Sequence, residues 1–401
     1  MSGDTDLRRA LQQIQAPDEL DAQRRAWSVA RAAFEAREPQ SWERRNRGWL
    51  LAAAAAAALL VAAISPPGRA LVGSVRDAVT DETVATRPAL TSLPARGSLL
   101  VNSKNGPWLV RFDGSMRRLG DWWEGSWSPD AEYVVVSRQR EVAALELDGD
   151  VRWKIVRTGI VRGARWSSEV NPDDTRVAYL NRRALRVVGG SGTGDRELRA
   201  LVASVAPAWR PGAFELAFST VDGRIELVDT ETARTEWRTV PGEVPTKLVW
   251  SEDGERLLVL GERSLRVLDS SGRKLWSIGL PVGPSGVVFV RGSPAHGFVM
   301  VRYSPATGRS DLVLLSAERD PGEPRFLYSV PGSFGTLAYS PNGNWLLVGW
   351  VDANQWLFLR RTAAKVQAVS NIAELFGVKI EGKPIAKAFP TSVSWCCPAS
   401  P

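Results

Sequence analysis

Apolar and polar positions along most of this chain alternate in short runs separated by turn signals. That pattern predicts β-strands rather than helices. In the clearest stretch, Pro207-Ala208-Trp209 is a short apolar strand before the turn Pro211-Gly212, and residues 215–219 alternate as a half-buried strand does. Val221-Asp222-Gly223 reads as a hairpin turn, since Asp-Gly tolerates the positive φ of tight hairpins. Residues 224–228 and 235–240 supply a third and a fourth strand. The next stretch repeats the plan, with Val249-Trp250, the turn Glu252-Asp253-Gly254, strands at 256–260 and 265–268, the turn Ser270-Ser271-Gly272 and a strand at 274–278.

Each unit is headed by an aromatic residue before a turn. The series runs Trp127-Ser128-Pro129-Asp130, Trp166-Ser167, Trp209-Arg210-Pro211-Gly212, Trp250-Ser251-Glu252-Asp253-Gly254, the weaker Phe289, and Tyr339-Ser340-Pro341-Asn342-Gly343. The anchors stand 39, 43, 41, 39 and 50 residues apart. A period of about forty with an aromatic before a turn marks four-stranded propeller blades. One such sheet cannot bury both of its faces; radial stacking does, with Trp as the bulky filler between sheets. Residues 97–103, 108–112 and 116–119 form a partial unit around the turn Lys104-Asn105-Gly106-Pro107 and lack an aromatic first strand. Ser392-Val393-Ser394-Trp395, at the other end, supplies the missing strand and closes the ring. The expected fold is all-β, a seven-bladed β-propeller over residues 97–398, and six or eight blades fit the same period. Two insertions, 320–335 and 371–387, are expected to lengthen inter-blade connections, with one or two helical turns at Ile372-Ala373-Glu374-Leu375-Phe376-Gly377.

At the Trp-Ser-Pro-Asp, Trp-Ser-Glu-Asp-Gly and Tyr-Ser-Pro-Asn-Gly motifs the chain resembles the WD-repeat-like propellers of the bacterial TolB family, over residues 97–398. The resemblance implies a fold and carries no catalytic residue. The Gly-His and Trp-Asp pairs of eukaryotic WD repeats are missing. Leu147-Asp148-Gly149-Asp150-Val151-Arg152-Trp153 and Leu268-Asp269-Ser270-Ser271-Gly272-Arg273-Lys274-Leu275-Trp276 are similar to quinoprotein-type repeats, and are read as architecture.

The first ninety-six residues have a different pattern. Residues 49–64 are uninterruptedly apolar; as a helix they reach about 24 Å, against ~30 Å of hydrocarbon. Arg44, Arg45 and Arg47 precede this run, and Arg69 is the nearest charge after it. That bias predicts a transmembrane helix at 49–65, a cytoplasmic tail at 1–48 and an extracytoplasmic propeller, in a single-pass protein of the cell membrane. A cleaved signal peptide and a buried soluble helix are the competing readings. In the tail, Leu20, Trp27, Ala30 and Phe34 fall on one helical face, interrupted by Gln23. Leu20, Trp27 and Phe34 are therefore candidate contacts for a cytoplasmic protein or for the membrane surface; a self-packed stub is the alternative. Residues 66–96 read as a short juxtamembrane helix and a linker.

The formal charge is +7, from 51 Lys and Arg against 44 Asp and Glu, but the charges are interspersed. No basic stripe is interleaved with stacking aromatics, so nucleic acid is not expected as a partner. A solvated surface or a weak attraction to anionic envelope polymers accounts for the charge. His296 is the only histidine, sits in a loop context, and has no Gly-x-Ser-x-Gly nucleophile elsewhere to serve. A zinc site needs more His or Cys than one His and two Cys. No catalytic, cofactor-binding or metal residue is therefore assigned, and no enzyme is expected. Cys396-Cys397 forms a vicinal disulfide in an oxidising compartment or remains as free thiols. Trp122-Trp123 should face opposite ways, one of them packing and the other open to a partner. The expected function is a protein-binding or sensing scaffold at the bacterial envelope, recognising an envelope protein or cell-wall component and relaying to the tail. The alternative is a propeller enzyme of quinoprotein or hydrolase type.

Overall fold

A computed structural model describes residues 90–168, 174–293, 296–361, 366–380, 383–384 and 387–397. Among the described residues, seven four-stranded antiparallel sheets follow one another along the chain, which makes the fold an all-β seven-bladed propeller. In blade 2, Glu124–Trp127 is innermost, with Tyr133–Arg138, Glu141–Glu146 and Val151–Val156 following outwards. The other innermost strands are Val161–Trp166 in blade 3, Ala208–Trp209 in blade 4, Lys247–Trp250 in blade 5, Val287–Phe289 in blade 6, Phe334–Tyr339 in blade 7 and Ser392–Cys396 in blade 1. These strands line the central channel. Second strands such as Tyr133–Arg138 and Arg256–Leu260 are buried nearly end to end, because a neighbouring blade covers each face. Outermost strands such as Val151–Val156 alternate exposed and half-buried positions and carry charge, which blunts an unpaired edge.

The recurring motif has a local hydrogen-bond explanation. The hydroxyl of Ser128 accepts from the N–H of Tyr133 at 2.9 Å, Ser167 from Arg176 at 3.0 Å, Ser251 from Arg256 at 2.9 Å and Ser340 from Trp345 at 3.0 Å. Each bond ties the end of an innermost strand to the start of its partner. The residue two on from the serine caps the same turn: Asp130, Asp253 and Asn342 accept from the N–H groups of Glu132, Glu255 and Asn344. Indole N–H groups then link blades, Trp209 donating to the carbonyl of Arg165 at 3.0 Å and Trp250 to that of Ala208 at 3.2 Å.

A second tryptophan series does the same further from the axis. Trp153 donates to the Gly190 carbonyl at 2.7 Å, Trp237 to Ser270 at 2.8 Å and Trp276 to Glu318 at 2.7 Å, each in the next blade. The Trp237 ring lies flat on Gly272, where a Cβ would stand 2.4 Å from the indole. The quinoprotein-like repeats are thus inter-blade docking sites, as architecture requires.

Closure occurs in blade 1. Ser392–Cys396 pairs antiparallel with Ser98–Ser103 in the register Ser98↔Cys396 to Asn102↔Ser392. Buried Asn102 secures the corner: its amide donates to Ser392 Oγ at 2.9 Å and to the Gly125 carbonyl at 3.1 Å, and its side-chain oxygen accepts from the Gly125 N–H at 2.8 Å. The seam with blade 7 is filled by Trp345, Trp356, Phe358, Phe376 and Trp395. Leu90 and Leu93 join this cluster, so the linker is packed from residue 90 onward.

Two expectations are corrected in detail. The stretch 320–335 is not an inter-blade insertion: it holds the outermost strand of blade 6, Arg325–Pro331, displaced along the sequence because the two middle strands are eight residues each. Gly106 and Pro107 belong to the strand Gly106–Val110, which leaves a two-residue turn at Lys104-Asn105. The insertion at 371–387 does contain one helical turn, Ile372–Leu375, whose buried Ile372 plugs the seam. The tail 1–48, the span 49–65 and the stretch from 66 to 89 lie outside the described residues. Among the described residues no helix is long and apolar enough to cross a membrane.

Two stability predictions follow from this arrangement. Deleting residues 390–401 removes the closing strand and exposes the edge at residues 98–102, so the cooperative melt should be lost and aggregation should follow; a truncated chain that melts like the full one contradicts the pairing. Gly272 and Gly212 both have positive φ, +79° and +72°, but only Gly272 has an indole against it. Gly→Ala at either site incurs roughly 1–2 kcal/mol of backbone strain, and thermal denaturation should show a clearly larger loss at Gly272.

Candidate functional site

The two ends of the ring differ. One carries the serine-capped turns just described. The other carries the turns between the second and third strands and the connections from one blade to the next. Trp122 and Trp123 lie on this second end, in the connection into blade 2. Trp122 is 8% exposed and packs in the core with the Arg138 guanidinium over its ring at 4.5 Å, whereas Trp123 is 50% exposed. The alternation expected from the sequence is observed, and only Trp123 is presented to solvent.

Between blades 2 and 3, the same end has a cleft of about 400 Å³ lined by Arg140, Arg162, Arg182, Arg183, Thr158, Gly159, Ile160 and Ser204. Arg140 comes from the second turn of blade 2, Arg182 and Arg183 from that of blade 3, and Arg162 from the innermost strand of blade 3. Among the described residues no carboxylate lines this cleft, and none of the four arginines has an acidic partner. The arginines nearby are matched: Arg138 with Glu141, Arg157 and Arg186 with Asp195, and Arg165 with Glu124.

Arg162 owes its direction to a bulge. Arg162 pairs with Leu180 and Arg165 with Ala178, so Gly163 and Ala164 together oppose Tyr179 alone. The extra residue places Arg162 and Arg165 on one side of the strand, where simple alternation would place them on opposite sides. Gly163 takes φ +65° at this bulge. Arg165 and Lys247 carry the positive charge into the channel, where Glu124 provides one carboxylate, hydrogen-bonded to the Gly163 N–H and paired with Arg165. Solvent reaches Lys247 along the channel although protein encloses it, so desolvation, with the charge of Arg165 added, pushes its pKa below the ordinary 10.5.

His296, in its loop context, is largely enclosed by its partners. Its Nε2 is 2.6 Å from Asp253 Oδ2, its Nδ1 faces Glu318, and its side chain is 17% exposed. Burial opposes ionisation of Asp253, but hydrogen bonds from Ser251 and from the Glu255 N–H, with His296 alongside, hold its pKa at about 2. The bond from Arg256, joined by His296, holds Glu318 below the usual carboxylate range. Asp253 belongs to blade 5 and Glu318 to blade 6, so His296 fastens two blades on the turn end. Cys396 and Cys397 are joined in a vicinal disulfide at the end of the closing strand. Leu20, Trp27 and Phe34 lie outside the described residues. Among the described residues no group of His, Cys, Asp or Glu is arranged to hold a metal ion.

No protein-family model and no curated protein matches the chain. Among solved structures, a protein of Bacteroides fragilis described as a putative 6-phosphogluconolactonase is similar with TM-score 0.51 and 14% identity, over 78% of this chain and all of that one. Hydrazine synthase of Kuenenia stuttgartiensis is similar with TM-score 0.46 and 15% identity, over 59% of this chain and 75% of that one. The first likeness shows the propeller fold alone.

The channel lysine gives a pH test. Its charged form is disfavoured in the folded state, so the unfolded chain binds that proton more tightly and the penalty fades as pH rises toward 10.5. Lys247→Met should therefore raise the melting temperature at neutral pH, with the gain shrinking to nothing near that value; a variant less stable at pH ~7 contradicts the desolvation account.

Proposed function

We propose that this chain is a membrane-anchored, extracytoplasmic propeller of the TolB-like, WD-repeat-like kind that binds or senses an envelope protein or a cell-wall component without catalysing a reaction. The observation that carries the reading is what the end away from the serine-capped turns presents to solvent. The repeat residues satisfy one another on the turn end, while the other end presents a half-exposed Trp123 and, at the next inter-blade boundary, arginines without carboxylate partners among the described residues. Exposed aromatic and arginine side chains are the types that dominate binding surfaces. The Trp-Ser-Pro-Asp series supports the family likeness. Arg44, Arg45 and Arg47 before the apolar run 49–65 support the anchor and its orientation. The Cys396–Cys397 disulfide favours an oxidising compartment. In this reading Leu20, Trp27 and Phe34 form the face through which the tail meets a cytoplasmic protein or the membrane surface.

A second reading, a propeller enzyme of hydrolase type, is favoured by Lys247, since an amine with a depressed pKa in a channel is suited to proton transfer. Lactone or ester hydrolysis abolished by Lys247→Met would replace the binding reading with this one.

Topology is tested by reporters active only outside the cytoplasm: a fusion after Pro401 should be active and one at Arg45 inactive, and the reverse pattern contradicts the orientation. Recognition is tested at Trp123. Trp123→Ala should weaken capture of the envelope partner by about 2 kcal/mol or more while leaving the melting temperature unchanged; unaltered capture removes this face from the interface.

A further inference from the structure

We propose that the cleft between blades 2 and 3 is a binding site for a phosphate ester. Four arginines from three segments of the chain line it, with Thr158 and Ser204 beside them and, among the described residues, no carboxylate. Like charges repel, and the neighbouring arginines on this end are neutralised by Glu141, Asp195 and Glu124. The four in the cleft are held together by the backbone. The Arg157 N–H donates to the Arg140 carbonyl at 2.7 Å, Val161 to Gln139 at 2.6 Å, Arg182 to Ile160 at 2.8 Å and Val202 to Arg183 at 2.9 Å. These bonds stitch the arginine-bearing turns of blades 2 and 3 to the connections beside them. Arg182 has φ 57°, a conformation uncommon outside glycine, and its side chain lies on Gly159, where a Cβ would stand 2.3 Å from its Cγ. The bulge at Gly163 and Ala164 sets Arg162. The backbone positions that carry the cationic groups are therefore set before any ligand arrives, which lowers part of the ordering cost of binding.

The chemistry of the lining selects the ligand. Guanidinium forks match oxyanions, each able to give two parallel N–H bonds. A single carboxylate would leave most of the four charges unanswered, whereas a phosphoryl dianion offers three terminal oxygens. The cleft, at about 400 Å³, has room for more than the phosphoryl group, and Ile160, 47% exposed, gives an apolar flank for the organic part. This assignment deepens the binding reading of the same face and rests on it. The phosphate is carried by a small molecule or by a polymer, and the test separates the two.

The experiment is calorimetric titration of the purified full-length chain with glycerol 3-phosphate and, separately, with poly(glycerol phosphate), at ionic strength matched with chloride. Succinate, a dianion like the phosphate monoester, serves as the carboxylate control. We expect saturable binding of one or both phosphate probes, weakened roughly tenfold or more in Arg140→Gln/Arg183→Gln with the melting temperature unchanged. Binding of the monomeric ester identifies a small-molecule site; binding of the polymer alone identifies a polymer site. The proposal is overturned if neither probe binds beyond chloride, if the double variant binds equally, or if succinate binds as tightly. Should the variant melt differently, Arg140→Lys/Arg183→Lys is the second test: it keeps the charge and removes the forks, and an affinity equal to wild type overturns the proposal. Loss of phosphate binding with Trp123-dependent capture intact defeats this assignment and leaves the binding reading standing; the converse defeats only that reading's protein partner.

Discussion

The propeller depends on one antiparallel pairing, between residues 98–102 and 392–396, that joins the two ends of the ring. A propeller blade buries its faces only against its neighbours, so each inter-blade interface presupposes that the circle is closed. The seam is reinforced accordingly. Asn102 uses both ends of its amide on Gly125 and Ser392, coupling the closing strand to blade 2 as well as to blade 1. The aromatic group around Trp356 and Phe376, with ring centroids 5.4 Å apart, fills the space between the first and last blades. The connection at 371–391 that leads to the closing strand is itself anchored there, through Ile372 and through the Thr391 N–H bond to the Asn102 carbonyl at 2.8 Å.

Closure divides the residues of the chain into two kinds. The repeated ones work locally or at the next blade: serine and aspartate cap turns, tryptophans reach adjacent carbonyls, and His296 sits between two carboxylates of neighbouring blades. The functional candidates are those that the repeated motif does not use. Arg162 stands at a bulge, Arg182 takes a left-handed conformation in a two-residue turn, and Trp123 occupies an inter-blade connection. A rigid ring fixes the backbone at such positions, which is why connections on a regular scaffold carry recognition.

Much of the fold was legible in the sequence because its signals are short-range. A serine that accepts a hydrogen bond from five residues on, as in Ser128, Ser251 and Ser340, leaves the same imprint at each repeat, and period-two alternation placed the strands of blades 4 and 5 within a residue or two. In blade 6 the middle strands lengthen to eight residues each, and the period no longer marks the outer strand. The opposite exposure of Trp122 and Trp123 could be anticipated from alternation alone. The arginine cleft could not, because Arg140, Arg162, Arg182 and Arg183 meet only when two blades stack, and in a sequence with interspersed charge nothing distinguishes them from paired arginines. The ties of His296 are hidden for the same reason: its partners Asp253 and Glu318 lie 43 and 22 residues away. The one hint for the cleft was the pair Arg182-Arg183 at a two-residue turn between apolar strands, which forces both onto one end of a blade.

The ring is closed by its C-terminal strand and opens as one unit. Hydrogen–deuterium exchange resolved by segment tests this most directly. Amides of residues 99–102 and 393–396 should exchange as slowly as those of residues 134–137 in the middle of blade 2, all governed by global unfolding. Fast exchange at the seam, with the other blades still protected, would show that the ring stands without its closure and would contradict the account.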